Sequence, residues 1–290
     1  MPVKKLSVVF SVLLFASLAC GLIAPTPAEE IDFDAAVAAT LTAIALQSQP
    51  MPAAPTETGG VAVSFSGSEF VIPPGLATGA TPSTIPASLD PQAPIWDIYP
   101  SYVEFTLDGY ILQGTFHEPR IRIYPVAEFE SANEGAAQII NELRILLAAI
   151  EAPLPVNLPF LPLFNAGQVF HAKEQFFPFK NGTGIRFLTQ FGQDISPVNN
   201  HSLFYTFQGL TSDGRYYVSA ILPANAPFLV EFPSPEFPVP SGGIPFDWEN
   251  WENTQSYMDA VTQQINSADP AVFNPPLTML DALIQSILIQ

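Results

Sequence analysis

Positive charge is what this chain has least of. Its 290 residues carry nine Lys and Arg against 27 Asp and Glu, a net charge of −18 at pH 7. Binding to nucleic acid rests on a basic footprint that neutralises phosphates, so this balance excludes nucleic acid as a partner. It also opposes adsorption to an anionic membrane surface. Solubility is the plain consequence of so many acids. Charge of either sign is sparse, at 12% of residues. Cysteine is present once, as Cys20, so the chain can build no internal disulfide. The three histidines, His117, His171 and His201, stand far apart with no metal-ligand spacing. There is no Gly-x-Ser-x-Gly elbow, no Asp-x-Asp-x-Asp-Gly calcium loop and no phosphate loop. The sequence therefore assigns no catalytic residue, no metal and no cofactor.

What is present begins with the first twenty residues, MPVKKLSVVFSVLLFASLAC. Lys4 and Lys5 form a positive start, Leu6 to Leu18 is uncharged and apolar, and Ser17-Leu18-Ala19 is a small-x-small cleavage signal. The end of this segment resembles a bacterial lipoprotein signal, in which the Cys after the cut carries lipid. That resemblance implies a signal over 1–19, lipid attachment at Cys20, and a place on the outer side of the cytoplasmic membrane or in the cell envelope. Its partner would then be the lipid membrane, reached through acylated Cys20. The pattern prefers an aliphatic residue three before the Cys and a small one two before it, where Ser17 and Leu18 stand. Two other outcomes therefore stay open: simple cleavage after Ala19, or retention of Leu6 to Ala24 as a spanning helix. A lone thiol outside the cell has no disulfide partner, and acylation would use it. Removing Lys4 and Lys5 leaves seven basic residues against 27 acidic, a net charge of about −20.

Beyond Cys20 the composition divides the chain. Residues 20–47 are read as anchor and spacer helix, with Phe33, Val37, Leu41 and Ile44 at helical spacing. Residues 48–92, rich in Pro, Gly, Ser, Thr and Ala, are read as a linker; its short runs Val61 to Phe65 and Phe70 to Ile72 have the alternative of docking as an added edge strand. The globular domain is expected over 93–290. Hydrophobic residues at 48% supply a core, and 31 prolines imply long irregular connections.

Within that domain Tyr102 to Leu107 and Tyr110 to Phe116 around Asp108-Gly109 read as a hairpin. Arg120 to Val126 is a third strand, with Ile121 and Ile123 alternating with Arg120, Arg122 and Tyr124 so that one side is polar. Ser131 to Ile150 is the clearest helix, capped by Ser131 with Glu134 and stopped by Pro153. Pro153 to Phe164 is apolar but too proline-rich for a helix or central strand, so it must be an extended loop packed on the core or an exposed apolar arm. Gln168 to Phe177, Gly184 to Phe191, Ser202 to Gln208 and Arg215 to Leu222 supply further strands. Trp248 to Asn266 and Leu277 to Leu288 are helices, the first with Trp248, Trp251, Met258, Val261 and Ile265 as its stripe. The pattern predicts an α+β domain: an antiparallel sheet of six or seven strands, with one long central helix and two C-terminal helices on one face. The Tyr-rich hairpin and the closing LDALIQSI helix resemble PsbP-like domains, which are α+β.

Six basic residues, Arg120, Arg122, Lys173, Lys180, Arg186 and Arg215, lie on predicted strands or turns. Convergence of these into an anion or carboxylate site, with Arg120, Arg122, Arg186, Arg215 and Tyr217 in contact with ligand, is one expectation; pairing with neighbouring acids is the plainer one. Tyr205, Phe207, Tyr216, Tyr217, Trp248, Trp251 and Tyr257 suit a sugar or apolar ligand, or simply the core. The functional reading is a membrane-tethered extracytoplasmic lipoprotein presenting a binding domain to a small ligand or an envelope protein. The alternatives are a structural accessory subunit of a membrane complex and an extracytoplasmic hydrolase acting on glycans or esters.

Overall fold

Seven strands hydrogen-bond into one antiparallel sheet in the order β3-β4-β5-β9-β8-β7-β6. They are β3 (Gly79–Ile85), β4 (Tyr102–Asp108), β5 (Arg120–Pro125), β6 (Gly167–Phe179), β7 (Gly182–Gly192), β8 (Phe204–Thr211) and β9 (Tyr216–Pro223). A second sheet joins β1 (Val61–Phe65), β2 (Ser68–Ile72) and β10 (Leu288–Ile289). Among the described residues there are four α-helices: α1 (Val126–Ala132), α2 (Glu134–Ala148), α3 (Thr254–Ser267) and α4 (Leu277–Gln285). These elements come from a computed structural model, which describes residues 59–290. The signal at 1–19, Cys20, the anchor and spacer helix expected over 20–47 and the first part of the expected linker lie outside the described residues. Among the described residues no helix is long and apolar enough to cross a membrane.

The fold class is α+β, as the hydrophobic periodicities predict. The helices, however, divide between both faces of the large sheet instead of sharing one. On one face Phe105, Ile121, Phe207, Val218 and Leu222 pack with α3, α4 and the small sheet. On the other, Tyr124, Ile185, Phe187, Phe204 and Tyr217 pack with α1, α2 and the arm. Side chains alternate across a strand, and both parities of β8 are buried throughout. A fully buried strand has no polar side to turn outward, so its sequence carries no sign of a solvent face.

Three further expectations are corrected. The stretch read as linker contains β1, β2 and β3, so the folded part begins well before residue 93. Phe70 and Ile72 are buried, Phe70 stands edge-on to Phe105 at 5.0 Å, and β3 pairs with β4 along its full length. Small and polar residues such as the GATPSTI of β3 suit an edge strand as well as a linker, which is why composition misled. Second, Tyr110 to Phe116 is not a strand; β4 pairs with β5 instead. Gly109 leaves the sheet at φ +59, where a Cβ would lie 2.6 Å from Thr78 Oγ1. Tyr110 then turns inward and its hydroxyl donates to the Pro223 carbonyl at 2.8 Å. Third, the N-cap of α2 is Asn133, not Ser131: its Oδ1 accepts from the Ala136 amide at 3.0 Å.

The remaining strands fall where the sequence places them, but the helix expected from Trp248 begins at Thr254, which leaves Trp248 and Trp251 ahead of it, and the last helix ends at Gln285, with Leu288 in β10. Leu280, Leu283, Ile284 and Ile287 near the C-terminus are all fully buried. On α3 the buried stripe is Tyr257, Val261 and Ile265, whereas Trp251 is 52% exposed. Gly184 and Gly209 pair across β7 and β8, and a Cβ on Gly184 would meet Phe207 Cζ at 2.4 Å. The two glycines clear the space that the Phe207 ring fills.

Candidate functional site

Register alone separates the arginines. Glu104, Arg122, Ser219, Gln208 and Ile185 are successive cross-strand partners and so share one face. The neighbouring row, Phe105, Ile121, Ala220, Phe207 and Arg186, occupies the opposite face. The expected anion site therefore does not assemble. Arg120 and Arg122 come together around Glu104; Arg186 lies across the sheet from them, and Arg215 sits in the β8–β9 turn.

Each of these side chains has a local partner. Arg120 Nη1 meets Glu104 Oε1 at 3.0 Å and its Nη2 pairs with Glu118. Arg122 Nε donates to Glu104 Oε2 at 2.7 Å. Arg186 lies 3.2 Å from Asp281 Oδ1 and donates to Gln175 Oε1 at 2.7 Å and to the Lys173 carbonyl. Arg215, exposed, pairs with Asp213. Tyr217 is buried and its hydroxyl donates to Gln208 Oε1 at 2.6 Å. Lys173 donates to the carbonyls of Asn266 and Ala268. The aromatic group also disperses: Tyr205 and Phe207 are core, while Trp251 faces solvent.

A cavity of about 280 Å³ does form beside Arg122. Alternation along RIRIYP sends Ile121 and Ile123 to one core and Arg122 and Tyr124 to the other face, so the polar side of β5 is covered, not solvent-facing. The cavity is bordered by Tyr102, Arg122 and Tyr124 from the sheet, by Phe129 from α1, and by Phe164 and its neighbours from the arm. Its outer wall is Ile95 to Tyr99, which starts with a short 3-10 turn, Ile95–Asp97. Asn133 secures that wall: its Nδ2 donates to the carbonyls of Ile95 at 2.7 Å and Ile98 at 2.8 Å. One residue thus caps α2 and holds the cavity wall.

The rings are in mutual contact. Tyr99 and Tyr102 stand edge-on at 5.5 Å, Tyr102 and Tyr124 lie 4.6 Å apart, and Tyr124 and Phe129 4.9 Å apart. Burial opposes the charge of Arg122, yet Tyr124 and Glu104 hold its pKa above the ordinary guanidinium value. Burial raises the phenols of Tyr102 and Tyr124, and in both the nearby Arg122 works against that rise. His117 stacks on Phe164 at 5.4 Å. Burial, with the charges of Arg122 and His201 against it, lowers its pKa to about 4, so this imidazole is neutral at pH 7.

A larger hollow of about 1020 Å³ lies over Leu89, Pro91 and Ile95, and another of about 560 Å³ between β6 and α3. Both are more open, and neither surrounds a buried charge. The cavity at Arg122 is the better candidate because it combines enclosure, aromatic walls and one fixed guanidinium. Sequence reading found Arg122 but missed Glu104, Tyr99, Tyr102 and Trp96. A signal was there: in YVEFTLD, Glu104 shares the parity of Tyr102, opposite to Val103, Phe105 and Leu107. Among the described residues no group of three or more His, Cys, Asp and Glu is placed to hold a metal ion. No family model, no curated protein and no solved structure matches this chain. Its function has to be read from its own geometry.

Proposed function

We propose that this chain is a lipid-tethered envelope protein whose folded part binds a small ligand in the cavity at Arg122. The observation that carries the binding half is that cavity, with six aromatic rings around a guanidinium already fixed by Glu104. Preorganised polar anchors in an aromatic enclosure are the ordinary make-up of a small-molecule site. The tether rests on the segment ending at Cys20. Acylation there gives stable anchoring if more than one chain is attached.

Trp96 is 37% exposed and borders the cavity, so its indole N–H signal reports occupancy. Titrating the full chain with libraries of amino acids, sugars and organic acids should move that signal together with those of residues 97–99 and 162–165. Silence across every library would defeat the binding reading. For the tether, labelled fatty acid should enter the wild type and not Cys20→Ser, which should leave the membrane fraction or remain unprocessed. An unlabelled wild type would defeat that half alone.

The accessory-subunit reading is favoured by one surface. Phe116 is 68% exposed and Phe237 38%, and between them His201 and Phe232 continue an aromatic strip at ring distances of 6.0 and 4.8 Å. Exposed aromatics in a row are typical of a protein contact. If this reading holds, Phe116→Ser should release the protein from one stoichiometric membrane complex while leaving ligand binding intact.

A further inference from the structure

The chemistry of the cavity narrows its ligand. We propose that it takes a small monocarboxylate on a flat apolar body, with the carboxylate on Arg122 and the body between the Trp96, Tyr99 and Tyr102 rings. This rests on the binding reading above and adds the ligand class to it.

Three observations lead there. First, Glu104 holds Arg122 through Nε, so the two terminal amino groups are what the guanidinium has left to offer the cavity it borders. A guanidinium presents that pair in the plane and spacing of a carboxylate, and a lysine does not. The Tyr102 hydroxyl oxygen accepts from this guanidinium, which leaves its own hydrogen as a neutral donor. Second, Arg122 shares its carboxylate. Glu104, only 5% exposed, serves both Arg120 and Arg122. Arg120, its side chain 32% exposed, is also met by Glu118 from the solvent side, so the four groups are formally neutral and Arg122, 13% exposed, is the cation that borders the cavity. One entering negative charge would suit that guanidinium, and a second would be in excess. Third, rings dominate the lining side chains. Trp96, Tyr99, Tyr102, Tyr124, Phe129 and Phe164 contribute them, and Asp97 and Asn165, which also border the cavity, are exposed. At about 280 Å³ the space lies just below the range for drug-sized ligand sites, roughly 300–1,000 Å³, and so suits a small ligand.

The test uses the full chain and four probes: benzoate, its neutral isostere benzamide, acetate and inorganic phosphate. The Trp96 indole signal and calorimetry are followed together. Benzoate should bind at least tenfold more tightly than benzamide or acetate, and its affinity should fall with added salt. Arg122→Gln should remove that tenfold advantage and leave benzamide where it was. Because this variant disturbs the Glu104 ion pairs, Trp96→Ala is a second arm. Trp96 is partly exposed and makes no ion pair, and its loss should weaken benzoate, read by calorimetry, without affecting acetate. Equal binding of benzamide and benzoate, preference for phosphate, or an unchanged benzoate affinity in Arg122→Gln would each overturn the carboxylate class while leaving a binding cavity in place. Silence from all four probes overturns it too; the binding reading falls only if the wider libraries are silent as well.

Discussion

On the face beneath α3 and α4, the cross-strand row Phe105, Ile121, Ala220, Phe207 ends on Arg186. One residue over, on the face beneath α1, α2 and the arm, the row reads Glu104, Arg122, Ser219, Gln208, Ile185. The same strands thus present a mainly hydrocarbon surface on one side and a polar seam on the other. What covers each face explains the difference. Helices and the small sheet satisfy their own backbone and ask only for apolar contact. The Pro153-to-Phe164 arm forms no regular structure, so its buried backbone groups need side-chain partners. Gln208 Oε1 accepts from the Leu161 amide at 3.0 Å, and the Ser219 hydroxyl donates to the Leu161 carbonyl. The polar seam is the counterpart of an irregular cover, and the cavity lies where the end of the arm, Pro162 to Asn165, approaches Arg122.

The largest effect should come from removing the centre of the seam. Glu104→Ala leaves two guanidiniums without their shared partner, Arg122 being only 13% exposed, and should cost about 3–5 kcal/mol in urea unfolding. Phe207→Ala on the other face should cost a similar amount, about 3–5 kcal/mol, through the void it opens. The comparison lies in what else changes: the Glu104 variant should disturb the Trp96 signal, and the Phe207 variant should not. A Glu104→Ala cost below about 1 kcal/mol would mean that water reaches the seam and that its charges are not buried at all.

A pH effect comes next, with opposite signs on the two faces. His117 has a folded pKa of about 4 against 6.5 in the unfolded chain. The unfolded state therefore binds more protons between those values, and stability rises with pH through that window. The His117 contribution is complete above pH 6.5 and is lost as pH falls toward 4, to at most about 3 kcal/mol. Urea midpoints of wild type and His117→Gln should converge on acidification, the variant showing a flatter slope. Asp281, on the other face, works with the opposite sign. Burial raises its carboxyl against the pull of Arg186, so its protonated form is favoured by folding and its share of stability is lost as pH rises through that raised value. Parallel slopes in wild type and His117→Gln would show that the imidazole is solvated.

How far the sequence could be read follows the same division. Elements whose apolar spacing is regular were legible: the β6–β7 and β8–β9 hairpins, α2, and the inward residues of α4. The arm was legible as an extended apolar segment because prolines exclude helix and central strand, but whether it packs on the core or stands exposed was not. The site was legible only in part. Arg122 stood out because cations are few, but its distance from Arg186 depends on strand order and register, which link β5 to β9 across nearly a hundred residues. The rings of the cavity come from five separate segments, and nothing local in the chain says that they meet. Residues 79–85 failed for a different reason: an edge strand of small and polar residues has the composition of a linker, and only its partner β4 distinguishes the two. The apolar runs at 61–65 and 70–72 were visible as strands that could dock, but not their pairing with each other and with β10.

A smaller effect tests the joint between helix and cavity wall. Asn133→Ala removes the α2 cap, worth about 0.5–2 kcal/mol, together with two bonds to the Ile95 and Ile98 carbonyls. Asn133→Ser should restore the cap, because a short hydroxyl can still accept from the Ala136 amide, but it has no amide to hold both carbonyls. The serine variant should therefore recover most of the stability and still show faster hydrogen exchange across residues 97–99. If it restores exchange protection as well, packing alone holds the wall.

The smallest effect belongs to Arg215, which the sequence grouped with Arg122 by residue type. Its side chain is 65% exposed and that of its partner, Asp213, 48% exposed, at the tip of a hairpin whose strands are joined along their length by backbone bonds. Asp213 also accepts from the Thr211 hydroxyl at 2.7 Å and from the Arg215 amide at 3.0 Å, and with the guanidinium these hold its pKa at about 2. Those two bonds survive when the guanidinium is removed, so the turn keeps its form. Arg215→Ala should therefore leave the urea midpoint unchanged, at low and at high salt alike, whereas Arg122→Ala shifts it clearly. A clear loss in Arg215→Ala would mean that this turn has a partner beyond Asp213, and that residue type, not burial, was the better guide to which arginine matters.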